Sequence, residues 1–495
     1  MKSIGKSVLI LVCLFSLIFG AALNPSISIA AKAGKTAKEV KADPGNMWVG
    51  KPNAVFDANK MSDMSDYDPA TWISPTGDTI KIAVVAPFSG PATVTGEYIW
   101  TSVTWAAHDI NKRGGIFVDG KKKLVEVIKA DHMSKPDQCK KVCERMALQE
   151  KVHAFIGTPS SALMKIMNET ATKYKLISVN AMSLADEIMD ARNFSRYAFM
   201  TTWSAEQVGR AIAYYYGQVR KKEKKFFILN QDYSFGHETA EGFKKGLEEY
   251  YPEAQLVGED YHKLFLTDFA PYLEKIKASG AEVIYSTDWD PDGRNLFKQA
   301  RQMNVMLPFA SIYMDLPNML QESGIEATKG LICLSPFNTT NPYFKTPGHI
   351  KFYKAWNNLW QDKWKTAPYN STFYEHPTSY LGAWTMSAYW LLSVIERANS
   401  IDPEKIIAIW ENDTYQAVNG KVMRMRACDH KVIQNLSVSE FVPPAQQKVS
   451  FNIPPYYWLK SASYYGPTFD IPAAKILPWM DQKLDRCKGK NGWGQ

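Results

Sequence analysis

The stretch Ile156-Gly-Thr-Pro-Ser-Ser-Ala162 decides how this chain reads. A short apolar run, residues 152–156, stops at Gly157. The hydroxyl-rich turn that follows opens a predicted helix whose Leu163, Ile166, Met167 and Thr170 share one face. A strand, a glycine turn and serines at a helix start make an anion site. The first backbone N–H groups of a helix have no intrahelical acceptor, and the hydroxyls add donors beside them. Such a site needs no catalytic residue.

Outward from this stretch the pattern repeats. The apolar runs 80–86, 124–130, 152–156 and 176–179 read as strands. Between and after them, helical spacing appears over 99–110, 136–149 and 160–174. The alternation then restarts, with helices over 206–219, 236–251, 269–279 and 293–303 and strands at 226–229, 255–258, 283–286, 308–312 and 331–334. Such alternation predicts an α/β molecule of two lobes, each a parallel sheet with helices on both faces. Three long aromatic helices follow at 349–365, 378–398 and 403–412. Next come a hairpin over 421–425 and 431–436 and a Pro-, Tyr- and Trp-rich stretch over 440–495 that reads as a surface-hugging tail. Residues 31–78 show no clear period and read as an extended arm on the first lobe or a partly disordered leader.

Residues 1–30 read as a secretory signal peptide. Lys2 and Lys6 form the basic start, an apolar run reaches Phe19, and Ser28-Ile29-Ala30 is a small-x-small cleavage site. The run falls short of the about 20 residues a transmembrane helix needs. Cys13 follows Val12 rather than a small residue, which argues against a lipid anchor. The formal charge of +8 falls to +6 without Lys2 and Lys6. The short basic runs at 121–123 and 220–225 are flanked by turns and read as solvated surface, not as a nucleic-acid footprint. Of the six cysteines, Cys139, Cys143, Cys333, Cys428 and Cys487 remain after cleavage. That odd number leaves at least one thiol unpaired or intermolecular, and spacing leaves the connectivity open. Cys139 and Cys143 are neighbours on one helix face but have no metal-ligand pattern around them.

Five stretches in order resemble the type I periplasmic solute-binding proteins of ABC transporters, in the branched-chain amino-acid and amide (Leu/Ile/Val-binding protein-like) branch. They are Ile80-Lys-Ile-Ala-Val-Val-Ala-Pro-Phe-Ser-Gly-Pro91, Lys151-Val-His-Ala-Phe-Ile-Gly-Thr-Pro-Ser-Ser-Ala162, Asp232-Tyr-Ser-Phe-Gly236, Asp268-Phe-Ala-Pro-Tyr-Leu-Glu-Lys-Ile-Lys277 and Ala281-Glu-Val-Ile-Tyr285. The likeness runs from about residue 79 to about 460. It implies two Rossmann-like lobes joined by three crossovers near Thr201, Ser335 and Val418. Lobe one would be 79–201 plus 336–417, and lobe two 202–335 plus 418–460, with a tail over 461–495. The implied function is capture of a small polar or carboxylated solute between the lobes and its delivery, by a periplasmic and monomeric protein, to a permease of the inner membrane. No cofactor, metal or nucleic acid is implied.

The resemblance also places the site. Ser160 and Ser161 would hold a carboxylate, with either serine alone equally an N-cap. Ala181 and Ser183 would complete the cradle, Ser183 alternatively capping the next short helix. Thr95 stands where an aromatic wall is usual, with Trp100 nearby as pocket or, at its helical spacing, core. Phe235 and Trp289 match ligand-contacting aromatics in lobe two. Tyr313 stands where amino-acid binders carry an acid for the ammonium, which counts against an α-amino-acid ligand. Asp288, Asp290, Asp292 or Asp315 would have to substitute, and the first three also suit helix capping. The segment 424–430 reads as a lobe-two hairpin. A soluble ligand sensor of the same fold and a secreted enzyme are the alternatives, and no hydrolase elbow, zinc-binding pair or phosphate loop supports the latter.

Overall fold

The computed structural model describes residues 51–90, 92–289, 291–314, 330–334, 347–360, 379–442, 464–478 and 483–490. The predicted signal peptide and the start of the arm lie outside the described residues. No helix among the described residues is long and apolar enough to cross a membrane.

The first sheet grows from Ile80–Ala86, whose seven residues are apolar but for Lys81 and almost wholly buried, as a strand covered on both faces requires. Its order is Val125–Asp131, Ile80–Ala86, Ala154–Gly157, Ile177–Asn180 and Ala198–Met200, all parallel. The order doubles back at Ile80–Ala86, so the loops after it and after Ala154–Gly157 diverge and leave a crevice at the strand ends. Gly157 permits the close approach there, since a Cβ on it would stand 2.0 Å from the Val85 carbonyl oxygen. The helices Thr93–Lys112 and Ser161–Tyr174 start at that edge.

The second sheet repeats the device. Gln255–His262, Lys225–Gln231, Val283–Tyr285, Phe309–Ser311 and Ile332–Leu334 run parallel, and Leu436–Val442 and Tyr464–Ile471 extend them antiparallel. Here the order reverses at Lys225–Gln231, which again opens the loops after it and after Val283–Tyr285. At Gly236 a Cβ would meet the Gln231 carbonyl oxygen at 2.0 Å, so the helix Ser234–Tyr250 can start tight against its strand.

Two segments, the hairpin and the tail, sit differently from their sequence expectation. From residue 51 the arm packs on the first lobe, with Ala54–Val55 paired to Thr414–Gln416 and the Tyr67 hydroxyl donating to the Thr101 carbonyl at 2.7 Å. The hairpin Val422–Met425 with Val432–Ile433 forms, but in a small sheet with those two strands. It docks on the first lobe through a Met200–Lys431 bridge and a His430 ring stacked 4.2 Å from Phe199. The chain therefore changes sheets after Ile433 rather than near Val418, because the hairpin buries its apolar face against the first lobe. The tail includes the edge strand Tyr464–Ile471 and a disulfide, Cys487 to Cys428; Cys139, Cys143 and Cys333 are buried thiols.

Candidate functional site

Between the strand ends of the two sheets lies a cleft of about 570 Å³, counting its open mouth. One wall comes from the first lobe. Ser160 is the N-cap of Ser161–Tyr174, its Oγ accepting from the Leu163 amide at 3.4 Å. Ser161, one residue on, lines the cleft. It is 1% exposed, and its hydroxyl has no hydrogen-bond partner among the described residues. One serine thus serves the helix and the other faces the space, beside helix amides that are free of intrahelical acceptors.

The loop that carries them is braced from below. The His132 Nδ1 accepts from the Ser134 amide at 3.1 Å, so the proton sits on Nε2, which donates to Thr158 Oγ1 at 2.6 Å. Burial drives the His132 pKa down to about 4 and keeps the ring neutral. The Ser183 hydroxyl donates to the Thr158 carbonyl at 2.5 Å, and the Ala181 amide donates to the Gly157 carbonyl at 3.2 Å. Asn180 Oδ1 accepts the Met182 and Ser183 amides at 3.3 and 2.8 Å, an Asx turn that ties the loop to its own strand. Ala181 and Ser183 are buried in this bracing and do not line the cleft; Met182 and Leu184 do. Thr95 lines it too, with its hydroxyl turned back to the Ala92 carbonyl at 2.7 Å. Trp100 is core: its Nε1 donates to the Pro69 carbonyl of the arm at 2.9 Å.

The other wall is aromatic. Tyr233, Phe235, Trp289 and Tyr313 come from three loops of the second sheet. Trp289 Nε1 donates to the Tyr233 hydroxyl at 2.9 Å, and the Phe235 ring lies 5.9 Å from Tyr233 and 6.1 Å from Tyr313. From the first lobe Tyr98 and Trp384, stacked at 6.2 Å, also line the cleft.

The neighbouring acids turn away. Asp288 meets His262 Nε2 at 2.7 Å, while the His262 Nδ1 faces the Lys263 carbonyl at 2.9 Å. The carbonyl can only accept, so Nδ1 carries a hydrogen, and Nε2 and Asp288 share the other proton of the pair. Burial opposes the charge, but Asp288 outweighs it and raises the His262 pKa. Asp292 accepts from Gln231 Nε2 and the Phe265 amide, each at 2.8 Å. Neither acid lines the cleft. Asp290 and Asp315 lie outside the described residues. No charged side chain lines the cleft among the described residues.

Of the residues singled out from sequence, the structure brings Thr95, Ser161, Phe235, Trp289 and Tyr313 to one cleft and sets Ser160, Ala181 and Ser183 in its supports. Tyr98, Pro159, Met182, Leu184, Tyr233 and Trp384 line it as well. Tyr98 follows Thr95 by one helical turn, and Pro159, Met182 and Tyr233 adjoin named residues, so helical and loop spacing would have found them. Trp384 has no such signal, because packing alone brings its helix, Ser379–Ala398, to the site.

A family model described as "Periplasmic binding protein" matches residues 79–446. An "Amino acid binding protein" of Pseudomonas aeruginosa is 29% identical over 237 residues, which are 47% of this chain and 60% of that protein. The chain thus matches less than two thirds of that relative's length. Among solved structures, a periplasmic binding protein from Burkholderia mallei superposes with a TM-score of 0.67 at 19% identity, covering 84% of this chain and 99% of that one. A solute-binding protein of an ABC transporter from R. palustris, in complex with 4-hydroxybenzoate, gives 0.64 at 20% identity, covering 80% and 98%. The match over most of the chain, together with two doubly wound sheets facing one cleft, makes the chain a member of the periplasmic binding protein family.

Proposed function

We propose that this protein is exported to the periplasm, captures a small carboxylated solute between its lobes and hands it, without bond chemistry, to an ABC permease. The observation that carries the reading is the cleft itself, uncharged among the described residues, with a buried hydroxyl at a helix start on one side and aromatic rings on the other. Ser161 and the adjacent helix amides suit the acceptor oxygens of a carboxylate. Tyr233, Phe235, Trp289 and Tyr313 suit a flat apolar body with a polar edge.

An aromatic or hydroxylated acid fits better than an α-amino acid. A buried ammonium without a carboxylate partner is costly. Asp288 and Asp292 are already engaged with His262, Gln231 and the Phe265 amide. The Pseudomonas relative is named for amino acids and the R. palustris neighbour holds 4-hydroxybenzoate, so both classes belong in the test. Solute binding shifts an open–closed equilibrium toward the closed form that a permease would recognise. The test is a thermal-shift and calorimetric panel of benzoates, hydroxybenzoates, leucine, phenylalanine and their amides. An aromatic acid is expected to bind most tightly, and Ser160→Ala/Ser161→Ala to weaken it. Leucine binding ahead of every benzoate would overturn the ligand class, and full affinity in the double variant would overturn the serine assignment.

A further inference from the structure

The last passage between the lobes is doubled by a second piece of chain. After Arg426–Asp429, the residues His430 and Lys431 are held to the first lobe, where the Met200 amide donates to the His430 carbonyl at 2.9 Å. The chain then enters the second sheet as Leu436–Val442. Two described parts of the C-terminal chain, residues 464–478 and 483–490, are fastened one to each lobe. On the second lobe, Tyr464–Ile471 pairs along Leu436–Val442, and Ile476 is fully buried. There too the Ala473 amide donates to Asn435 Oδ1 at 2.9 Å, and the Tyr250 hydroxyl donates to the Lys475 carbonyl at 2.6 Å. On the first lobe, the Ala191 amide donates to the Leu484 carbonyl at 2.9 Å, and the Arg486 guanidinium lies 3.6 Å from the Phe194 ring centroid. Arg486 Nε also donates to the Cys428 carbonyl at 2.9 Å, and Cys487 is disulfide-bonded to Cys428.

We infer that this segment is a fourth connection between the lobes, a strap locked by the Cys428–Cys487 disulfide, which limits how far the cleft opens. The inference rests on the proposed opening and closing of the lobes. The family match ends at residue 446, before the strap begins. Its reach is short. Five peptide links join Pro478 to Lys483, and at ~3.6 Å each they span at most about 18 Å. The second-lobe end is held by a strand pairing, the first-lobe end by a covalent bond, and an exported protein keeps such a bond oxidised. A hinge with two chains side by side stretches and twists less than one with a single chain. The solute-free protein therefore spends more time near the closed geometry, and its apparent affinity rises with that fraction.

The test measures opening without any solute. Cys428→Ser/Cys487→Ser is compared by small-angle X-ray scattering with proteins that keep the disulfide but carry two, four or eight Gly/Ser residues inserted between Pro478 and Lys483. The expected result is a radius of gyration and a maximum dimension above wild type in the cysteine variant, growing stepwise with insert length. The inserts touch no cleft residue, so they decide the matter even if the cysteine variant fails to fold. Insertion proteins that keep the wild-type melting temperature yet scatter as the wild type does would overturn the strap. Failure of the solute-capture reading looks different: neither 4-hydroxybenzoate nor leucine would shift the wild-type melting temperature, whatever the scattering series does.

Discussion

The two walls of the cleft are built on opposite plans. The first-lobe wall spends most of its polar groups on itself: Ser160 caps a helix, Ser183 and His132 brace Thr158, and Thr95 bonds back to its own turn. Ser161 turns its hydroxyl to the space. The second-lobe wall offers faces and edges of rings, and its acids are turned inward to His262, Gln231 and a backbone amide. The difference teaches that polar content near a site is a poor guide to what the site presents. One wall is rigid so that a single donor set points outward, and the other is shaped so that area, not charge, meets the ligand.

Substitutions on each wall test whether the two plans are distinct. The largest effect is expected from the aromatic wall. Trp289→Ala should weaken binding of the best aromatic acid by roughly 2–4 kcal/mol, or ~30–1000-fold, as loss of a central aromatic anchor does. Calorimetry reads it, and unchanged affinity would remove that wall from the site.

The bracing of the serine loop comes next, through pH. The folded-state pKa of His132 is depressed from 6.5 to about 4, so its contribution to stability is fully present above pH 6.5 and is lost as the pH falls toward 4. At ~1.4 kcal/mol per unit that is on the order of 3 kcal/mol. Urea unfolding at pH 7 and pH 4.5 should show wild type losing more than His132→Gln does; parallel losses would mean that the ring does not hold the loop.

A smaller effect is expected at the outward-facing hydroxyl. Ser161→Ala should cost roughly 1.5–2 kcal/mol for 4-hydroxybenzoate and less for 4-hydroxybenzamide, because a bond to a charged acceptor is the stronger one. Equal losses for acid and amide would show that the serine reads shape rather than charge.

The smallest effect is expected where the walls meet. Glu238, on the second-lobe helix Ser234–Tyr250, accepts the Asp186 and Glu187 amides of the first lobe at 2.5 and 3.1 Å. Glu238→Gln should weaken solute binding by about 1 kcal/mol, the net worth of such a bond, without changing the melting temperature of the solute-free protein. A fall in that temperature instead would make the contact a structural one.

Much of this was legible in the chain, and where it was not the reason is physical. The predicted strand at 80–86 and the observed Ile80–Ala86 coincide because a run apolar on both faces leaves no choice of register. The serine loop was visible as a loop, but not which serine faces out. Adjacent helix residues differ by about 100°, and only the direction of the helix start assigns one to the cap and the other to the cleft. Trp100 was open between pocket and core until the arm supplied the Pro69 carbonyl for its indole. Asp288 and Asp292 lie one and three positions from the pocket residue Trp289 yet point elsewhere, because His262 and Gln231, distant in sequence, offered better partners inside the lobe.

By itself, then, the sequence determined what depends on local pattern: two rounds of β–α alternation, the glycine turns at the strand ends and the motif order that marks the family. Only the tertiary structure decided what depends on distant partners. That includes which polar groups are spent on bracing and which face the cleft, the docking of the hairpin on the first lobe, and the pairing of Cys428 with Cys487. Periodicity constrains how a segment meets a surface, but the surface it meets is supplied by residues hundreds of positions away.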